Sequence, residues 1–217
     1  MSPCPRPRST TRSRRGRGSI GRPIVVGFAL LLGLVLSGCA APFDPTGPCT
    51  ADGNAPGAYP ELEAAVPTAY QGAKPSELDS GRACTAAGLG TLSGHGVKEL
   101  RFAGGTWLTG TDSGLSLAIF TNVEGPALDP AWMAEFYEAG ARQGKNVTSV
   151  ETTVYAVTTG ITGSRLDVLN GESYQSVVVW ERNGQVAVTV VADFIREIQT
   201  KDAHDAIVRA AVDAFVG

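Results

Sequence analysis

The hydrophobic pattern changes character along the chain. Residues 24–36, from Ile24 to Leu36, are apolar or Gly at every position, a run of 13. A helix needs about 20 such residues to span a bilayer, so the run is too short for that. Between residues 40 and 60 periodicity disappears. Pro42, Pro45, Pro48, Pro56 and Pro60, with Gly47, Gly53 and Gly57 between them, read as a tether. A short helix is expected over Glu61–Val66, stopped by Pro67. Residues 67–96 read as loop with a short helix near Thr85–Leu92. Lys98–Trp107 and Leu115–Thr121 alternate as strands, through Leu100 and Phe102 in the first and Leu115, Leu117 and Ile119 in the second.

Asp129-Pro130 is an N-cap followed by proline at the first helical position. Trp132, Met133, Phe136, Tyr137 and Gly140 then recur at helical spacing, with Gly144 as the stop and Glu138/Arg142 as an i,i+4 pair. Val147–Val157 is a β-branched run. Asn170-Gly171 and Asn183-Gly184 each sit between strand-like runs, and Asn-Gly favours the positive φ of a two-residue hairpin turn. Residues 164–169, 172–182 and 185–193 therefore form an antiparallel meander. The chain ends in an amphipathic helix over 201–216. Lys201, Asp205, Arg209 and Asp213 form its polar stripe, and Ala203, Ile207, Ala211, Ala214 and Phe215 face inward. The order ββαββββα predicts an α+β fold with a single largely antiparallel sheet flanked by helices.

The turns also predict register. Opposed residues should sum to 341 in the first hairpin and 367 in the second. One face then carries Leu166, Val168, Val177, Val179, Val186, Val188 and Val190, a core face that the C-terminal helix is expected to cover. The other carries Arg165, Asp167, Tyr174, Ser176, Val178, Trp180, Ala187, Thr189 and Val191. Packing under another segment is the plainer expectation for it, with the 129–143 helix or residues 60–96 as cover. The sharper one makes Arg165, Tyr174 and Trp180 a candidate binding face, since Arg and aromatic residues concentrate binding energy.

Charge changes the picture. The net charge of the 217-residue chain is −3, but seven of its 18 Lys+Arg and none of its 21 acids lie in residues 1–38. Residues 39–217 thus hold 11 basic and 21 acidic side chains, a net of −10. A basic block before an apolar run is the asymmetry of a targeting segment. The acidic remainder argues against nucleic acid, which needs clustered Lys and Arg. Its length suits one domain, over 61–217.

After the apolar run comes Leu36-Ser37-Gly38-Cys39. Basic region, apolar run and small residues follow the order of a secretory signal, and the tetrapeptide resembles the lipobox of bacterial lipoproteins. The resemblance implies that residues 1–38 are removed, that Cys39 becomes the acylated N-terminus, and that the membrane is a partner through this lipid. Residues 39–60 are then the tether, and the body is expected to stand off an anionic membrane surface. Cys4 leaves with the signal. Cys49 and Cys84 remain in an oxidising compartment and read as a disulfide.

No catalytic signature is found. Gly144-Lys145-Asn146 fails as a phosphate loop, because it ends a helix and lacks the Ser or Thr. Gly88–Gly94 is glycine-rich, but Ser93 stands where a dinucleotide fingerprint needs Gly. Ser93 and His95 lie in this loop with nothing to orient them as a triad. His204 reads as a boundary residue of the last helix. His95, His204 and two paired cysteines leave no zinc set, so neither metal nor cofactor is expected.

Gly163-Ser164-Arg165-Leu166, Tyr174, Val177–Trp180, Asn183-Gly184 and Phe215 make residues 97–217 similar to PsbP-like domains, including bacterial lipoproteins of the DcrB and LpqN types. The resemblance implies a sheet flanked by helices and an envelope-associated role, with no catalytic residues to carry over. The expectation is a lipid-anchored, extracytoplasmic lipoprotein, leaning away from an enzyme, that binds a small ligand or an envelope protein. The alternatives are a hydrolase using carboxylates or the Ser93/His95 loop, and a structural subunit of an envelope complex.

Overall fold

The structure, a computed structural model, describes residues 43–216. The signal segment and Cys39 lie outside the described residues. Eight strands form one antiparallel sheet in the order β1-β2-β3-β4-β8-β7-β6-β5. The first four are β1 (Gly53–Ala55), β2 (Glu77–Ala83), β3 (Leu100–Leu108) and β4 (Gly114–Asn122). The last four are β5 (Ser149–Thr158), β6 (Ile161–Asn170), β7 (Ser173–Arg182) and β8 (Gln185–Phe194). The helices are α1 (Pro60–Glu63), α2 (Ala86–Leu89) continued by a 3-10 turn (Gly90–His95), α3 (Pro130–Arg142), α4 (Ile195–Ile198) and α5 (Lys201–Val216).

The second hairpin has the expected register. Ser173 faces Phe194 and Arg182 faces Gln185, a sum of 367, around Asn183 and Gly184 at φ +54° and +77°. Positive φ at both loop positions is the sign pattern of a type I′ turn. The first hairpin is shifted. Asn170 faces Ser173, a sum of 343, so the loop is Gly171-Glu172. Asn170 stays in the strand because its side-chain oxygen accepts from the Ser173 hydroxyl (2.7 Å). Positive φ falls on Gly171 alone, at +62°. A shift of two preserves parity, so the face assignments stand.

The cover of those faces differs from expectation. β4 lies in the middle of the sheet and β5 at its edge, with β8, β7 and β6 between them. The β4–β5 connection must therefore cross three strands. It does so on the valine face: Met133, Trp132, Phe136 and Tyr137 of α3 pack with Leu166, Val168, Val177, Val179, Val186 and Val188. Asp129 caps α3 by accepting from the Ala131 N–H (2.8 Å), and Arg142 pairs with Glu138 (2.7 Å). With that face filled, α5 takes the other one. Val208, Ala211, Val212 and Phe215 pack on Leu115, Leu117, Ile119, Val178, Trp180, Ala187 and Val191. The buried stripe of α5 is thus His204, Val208, Ala211, Val212 and Phe215, while Ala214 is exposed.

β1 and β2 fall where loop and tether were expected. Glu77–Ala83 has no apolar alternation because its interior positions include Ser80, Gly81 and Arg82. Gly81 is required where β1 approaches, since a Cβ there would collide with the Gly53 carbonyl. Within the described residues the expected tether is not free chain. Proline lacks an N–H, so a Pro-rich segment carries more acceptors than donors. The buried Arg82 guanidinium answers that excess by donating to the carbonyls of Asp44 (3.1 Å), Gly47 (2.8 Å) and Pro48 (3.1 Å). Cys49 and Cys84 are disulfide-bonded, with Cα atoms 5.4 Å apart. Residues 43–55 therefore belong to the sheet's N-terminal edge.

The disulfide closes a loop of sequence separation 35. Its removal by Cys49→Ser/Cys84→Ser should cost about 3–4 kcal/mol in the chain-entropy account. Denaturant unfolding with and without reductant measures this. Equal midpoints for variant and native protein would show the bond to be energetically idle.

Candidate functional site

Two groups of side chains stand apart from the apolar packing. The first lies under α5. Register sets Asp167 of β6 opposite Ser176 of β7, and Tyr174 of β7 opposite Asp193 of β8. The first turn of α5 then lowers His204 among them. His204 Nδ1 is 2.6 Å from Asp193 Oδ2, and Nε2 is 2.8 Å from Ser176 Oγ. The connectivity is that of a Ser–His–Asp triad.

Its chemistry is not. The Ser176 hydroxyl also meets Asp167 Oδ1 and receives an Arg165 N–H (3.2 Å). Arg165 only donates, and Asp167, paired with Arg165, only accepts. The serine proton therefore goes to Asp167 and is not presented to His204 Nε2. A serine whose proton is directed to a carboxylate is not activated by the histidine. Ser176 and Asp193 are 0 % exposed and His204 is 1 % exposed, so a substrate has no approach. The array instead locks α5 onto the sheet.

Arg165 continues the network outward by pairing with Asp205 of α5, which also binds Lys201 (2.8 Å). Burial pushes the Asp205 carboxyl upward, but the bonds from Lys201 and Arg165 outweigh it and hold it below its ordinary value of 3.8. Burial, and then the Asp193 charge, raise the Tyr70 phenol.

Of the three candidate binding residues, none lines an open surface together with the others. Trp180 is 1 % exposed and packs edge-on against Phe215, with centroids 5.5 Å apart. Arg165 is 8 % exposed inside the network. Tyr174 is half-buried beside His204, with ring centroids 5.7 Å apart. Strand alternation did place Arg165, Asp167, Tyr174, Ser176 and Thr189 on one face. Asp193 continues the same parity and was the readable signal for the array. His204 is its centre and not a boundary residue.

The Ser93/His95 loop does not form a catalytic pair. Ser93 Oγ donates to the Gly90 carbonyl (2.8 Å). His95 Nε2 lies 2.8 Å from Glu135, and its ring stacks on Trp132 at 4.7 Å, tying the 3-10 turn to α3. Among the described residues no group of three or more His, Cys, Asp or Glu side chains is placed to hold a metal ion.

The second group lines an open cleft of about 650 Å³ at the N-terminal edge. The Pro45–Cys49 loop forms one wall, and Tyr59, Glu61, Glu99, Arg101 and Glu124 contribute to the rest. Arg101 Nε donates to Glu99 (2.7 Å), and the guanidinium lies 4.7 Å over the Tyr59 ring. Burial lowers the Arg101 pKa, but the Glu99 bond and the charges of Glu99 and Glu61 more than offset it. The cleft was not legible in the sequence, because its walls depend on the unseen β2.

The class defined by this fold and these sites is an α+β domain with both sheet faces covered, carrying among the described residues a sealed polar array and an open polar cleft. Comparison with protein-family models and with curated proteins gives no match.

His204→Ala would leave the Asp193 carboxylate buried without its partner and remove one of the contacts to Ser176. A loss of about 3 kcal/mol or more is expected by denaturant unfolding, against about 1–3 kcal/mol for Ser176→Ala. Near-native stability of His204→Ala would remove the lock.

Acid should act through Asp205. Its folded value is depressed, so its contribution is complete above the unfolded value and is lost as pH falls through the folded one. The stability gap between native protein and Asp205→Asn should shrink as pH falls through and below the ordinary value of 3.8. A gap that does not change with pH would contradict this.

Proposed function

We propose that this chain is a lipid-anchored, extracytoplasmic bacterial lipoprotein with a PsbP-like, non-enzymatic domain that binds a ligand or an envelope protein. The observation that carries the reading is the Cys49–Cys84 bond, ten residues after a Leu-Ser-Gly-Cys lipobox at residues 36–39. Disulfides persist outside the reducing cytoplasm, and a lipobox directs a chain there. The bond and the motif thus argue for one compartment from independent chemistry.

Binding without catalysis is supported by the contrast between the two polar groups. The serine array is sealed and its proton is committed elsewhere, while the cleft is open and carries charged side chains at its rim. A second reading, a structural subunit of an envelope complex, is favoured by β5. This ten-residue edge strand is largely exposed, with Val154 at 83 %, and such an edge offers unpaired backbone groups to another strand.

Cys39→Ala should move the protein from the membrane fraction to the soluble extracytoplasmic fraction, as read by fractionation and immunoblot. Mass spectrometry of the native N-terminus should find acylated Cys39. Retention of the variant on membranes, or an unmodified native Cys39, would overturn the anchor.

A further inference from the structure

The packed N-terminal segment changes where the domain sits relative to the bilayer. Phe43 already lies against the Arg82 guanidinium (5.6 Å), and Asp44, Gly47 and Pro48 are bonded to it. On the lipoprotein reading, which this inference rests on, only four residue steps separate acylated Cys39 from Phe43. At about 3.6 Å per step they reach at most roughly 14 Å. On that reading the short reach leaves no long tether for the expected stand-off and would hold the Pro45–Cys49 edge beside the lipid headgroups.

The open cleft is at that edge. Its chemistry is two-signed. Arg101 is oriented by Glu99 through Nε and by the Tyr59 ring beneath it, and its side chain is 30 % exposed. Among the described residues its Nη1 and Nη2 have no hydrogen-bond partner. They form a preset fork, the geometry that takes two oxygens of a phosphate at once. Glu61 and Glu124 are exposed on the same cleft and have no ion pair among the described residues. An anion alone would meet these carboxylates as like charges, and a cation alone would meet Arg101. A molecule carrying both a phosphate and an ammonium group, a few bonds apart, satisfies both.

We propose that this cleft binds the zwitterionic headgroup of a membrane phospholipid, phosphate on Arg101 and ammonium on Glu61 and Glu124, docking the N-terminal edge of the sheet on the bilayer. The acidic body then faces away from the surface that its own net charge would repel, and the headgroup contact offsets that repulsion at one point.

The test uses the full lipidated protein in nonionic detergent and titration calorimetry with three soluble probes. Glycerophosphoethanolamine should bind saturably, with glycerol 3-phosphate and ethanolamine each at least about tenfold weaker. Arg101→Gln should abolish binding. Arg101→Lys should weaken it by about tenfold, because an ammonium lacks the fork. Glu61→Gln/Glu124→Gln should make glycerophosphoethanolamine no better than glycerol 3-phosphate. Circular dichroism verifies that each variant is folded. In a second arm, vesicles containing phosphatidylethanolamine should slow amide hydrogen exchange across residues 45–61, and vesicles of phosphatidylglycerol alone should not.

No heat with the zwitterion, or equal affinity for glycerol 3-phosphate, would overturn the site. Binding of the soluble probe without protection on vesicles would overturn the docking and leave a free phosphoester as the ligand. The N-terminal mass is read on the same sample. An acylated protein that fails to bind refutes the cleft alone, and an unacylated protein that binds refutes the anchor alone.

Discussion

β4 pairs on one side with its hairpin neighbour β3 and on the other with β8, the last strand of the chain. This pairing fuses two four-stranded meanders into one sheet, and it sends the β4–β5 connection across β8, β7 and β6. The crossing takes the valine-rich apolar face, where a helix gains most apolar contact. α5 is then left with the mixed face. Its burial there is stabilised by pairing most of the polar groups beneath it: His204 with Asp193 and Ser176, and Asp205 with Arg165, while Thr189 Oγ1 and Asp193 Oδ1 stay buried without a partner. A covered polar face without those pairings would cost several kcal/mol per orphaned group. The serine–histidine–aspartate arrangement follows from this demand for satisfaction and not from catalysis.

The N-terminal edge obeys a related rule with backbone groups. A segment with prolines at 45, 48 and 56 has carbonyls in excess of N–H donors. Left in water it would be an ordinary tether. Arg82, inserted from β2, supplies donors to several of those carbonyls together, and the Cys49–Cys84 bond holds the same segment covalently. Compositional signals of flexibility thus mark a segment that is fixed by one buried side chain. The consequence reaches the proposed function. On the lipoprotein reading proposed above, a long leash would let the domain sample the space above the membrane, whereas a short one would bring the adjoining cleft to the bilayer surface.

The two polar groups also illustrate why connectivity is a poor guide to chemistry. Ser176, His204 and Asp193 have the order and the distances of a hydrolytic triad. Asp167 and Arg165, added to the same hydroxyl, reverse the direction of the serine proton. The cleft has no recognisable motif, yet its guanidinium is oriented and its carboxylates are exposed. Function in a fold of this kind resides in which groups remain unpaired at the surface.

Local chemistry was legible from the sequence wherever neighbours in the chain determine conformation. The Asp129-Pro130 start of α3, the Asn183-Gly184 turn and the strand parity of β6 to β8 were readable, because caps, positive-φ turns and alternation act over a few residues. The Cys49–Cys84 pairing, at a separation of 35, was readable from cysteine count and not from local conformation. The α+β class and the single antiparallel sheet followed from their order. What distance along the chain decides was not readable. β2 is a strand because β1 and β3 pair with it, not because Glu77–Ala83 prefers one. Which helix covers which face depended on the β4–β8 junction. The burial of His204 and the folding-back of residues 43–55 depended on partners far away in sequence. Local propensity carries no record of such contacts, since loop closure and burial are satisfied only once the whole sheet is assembled.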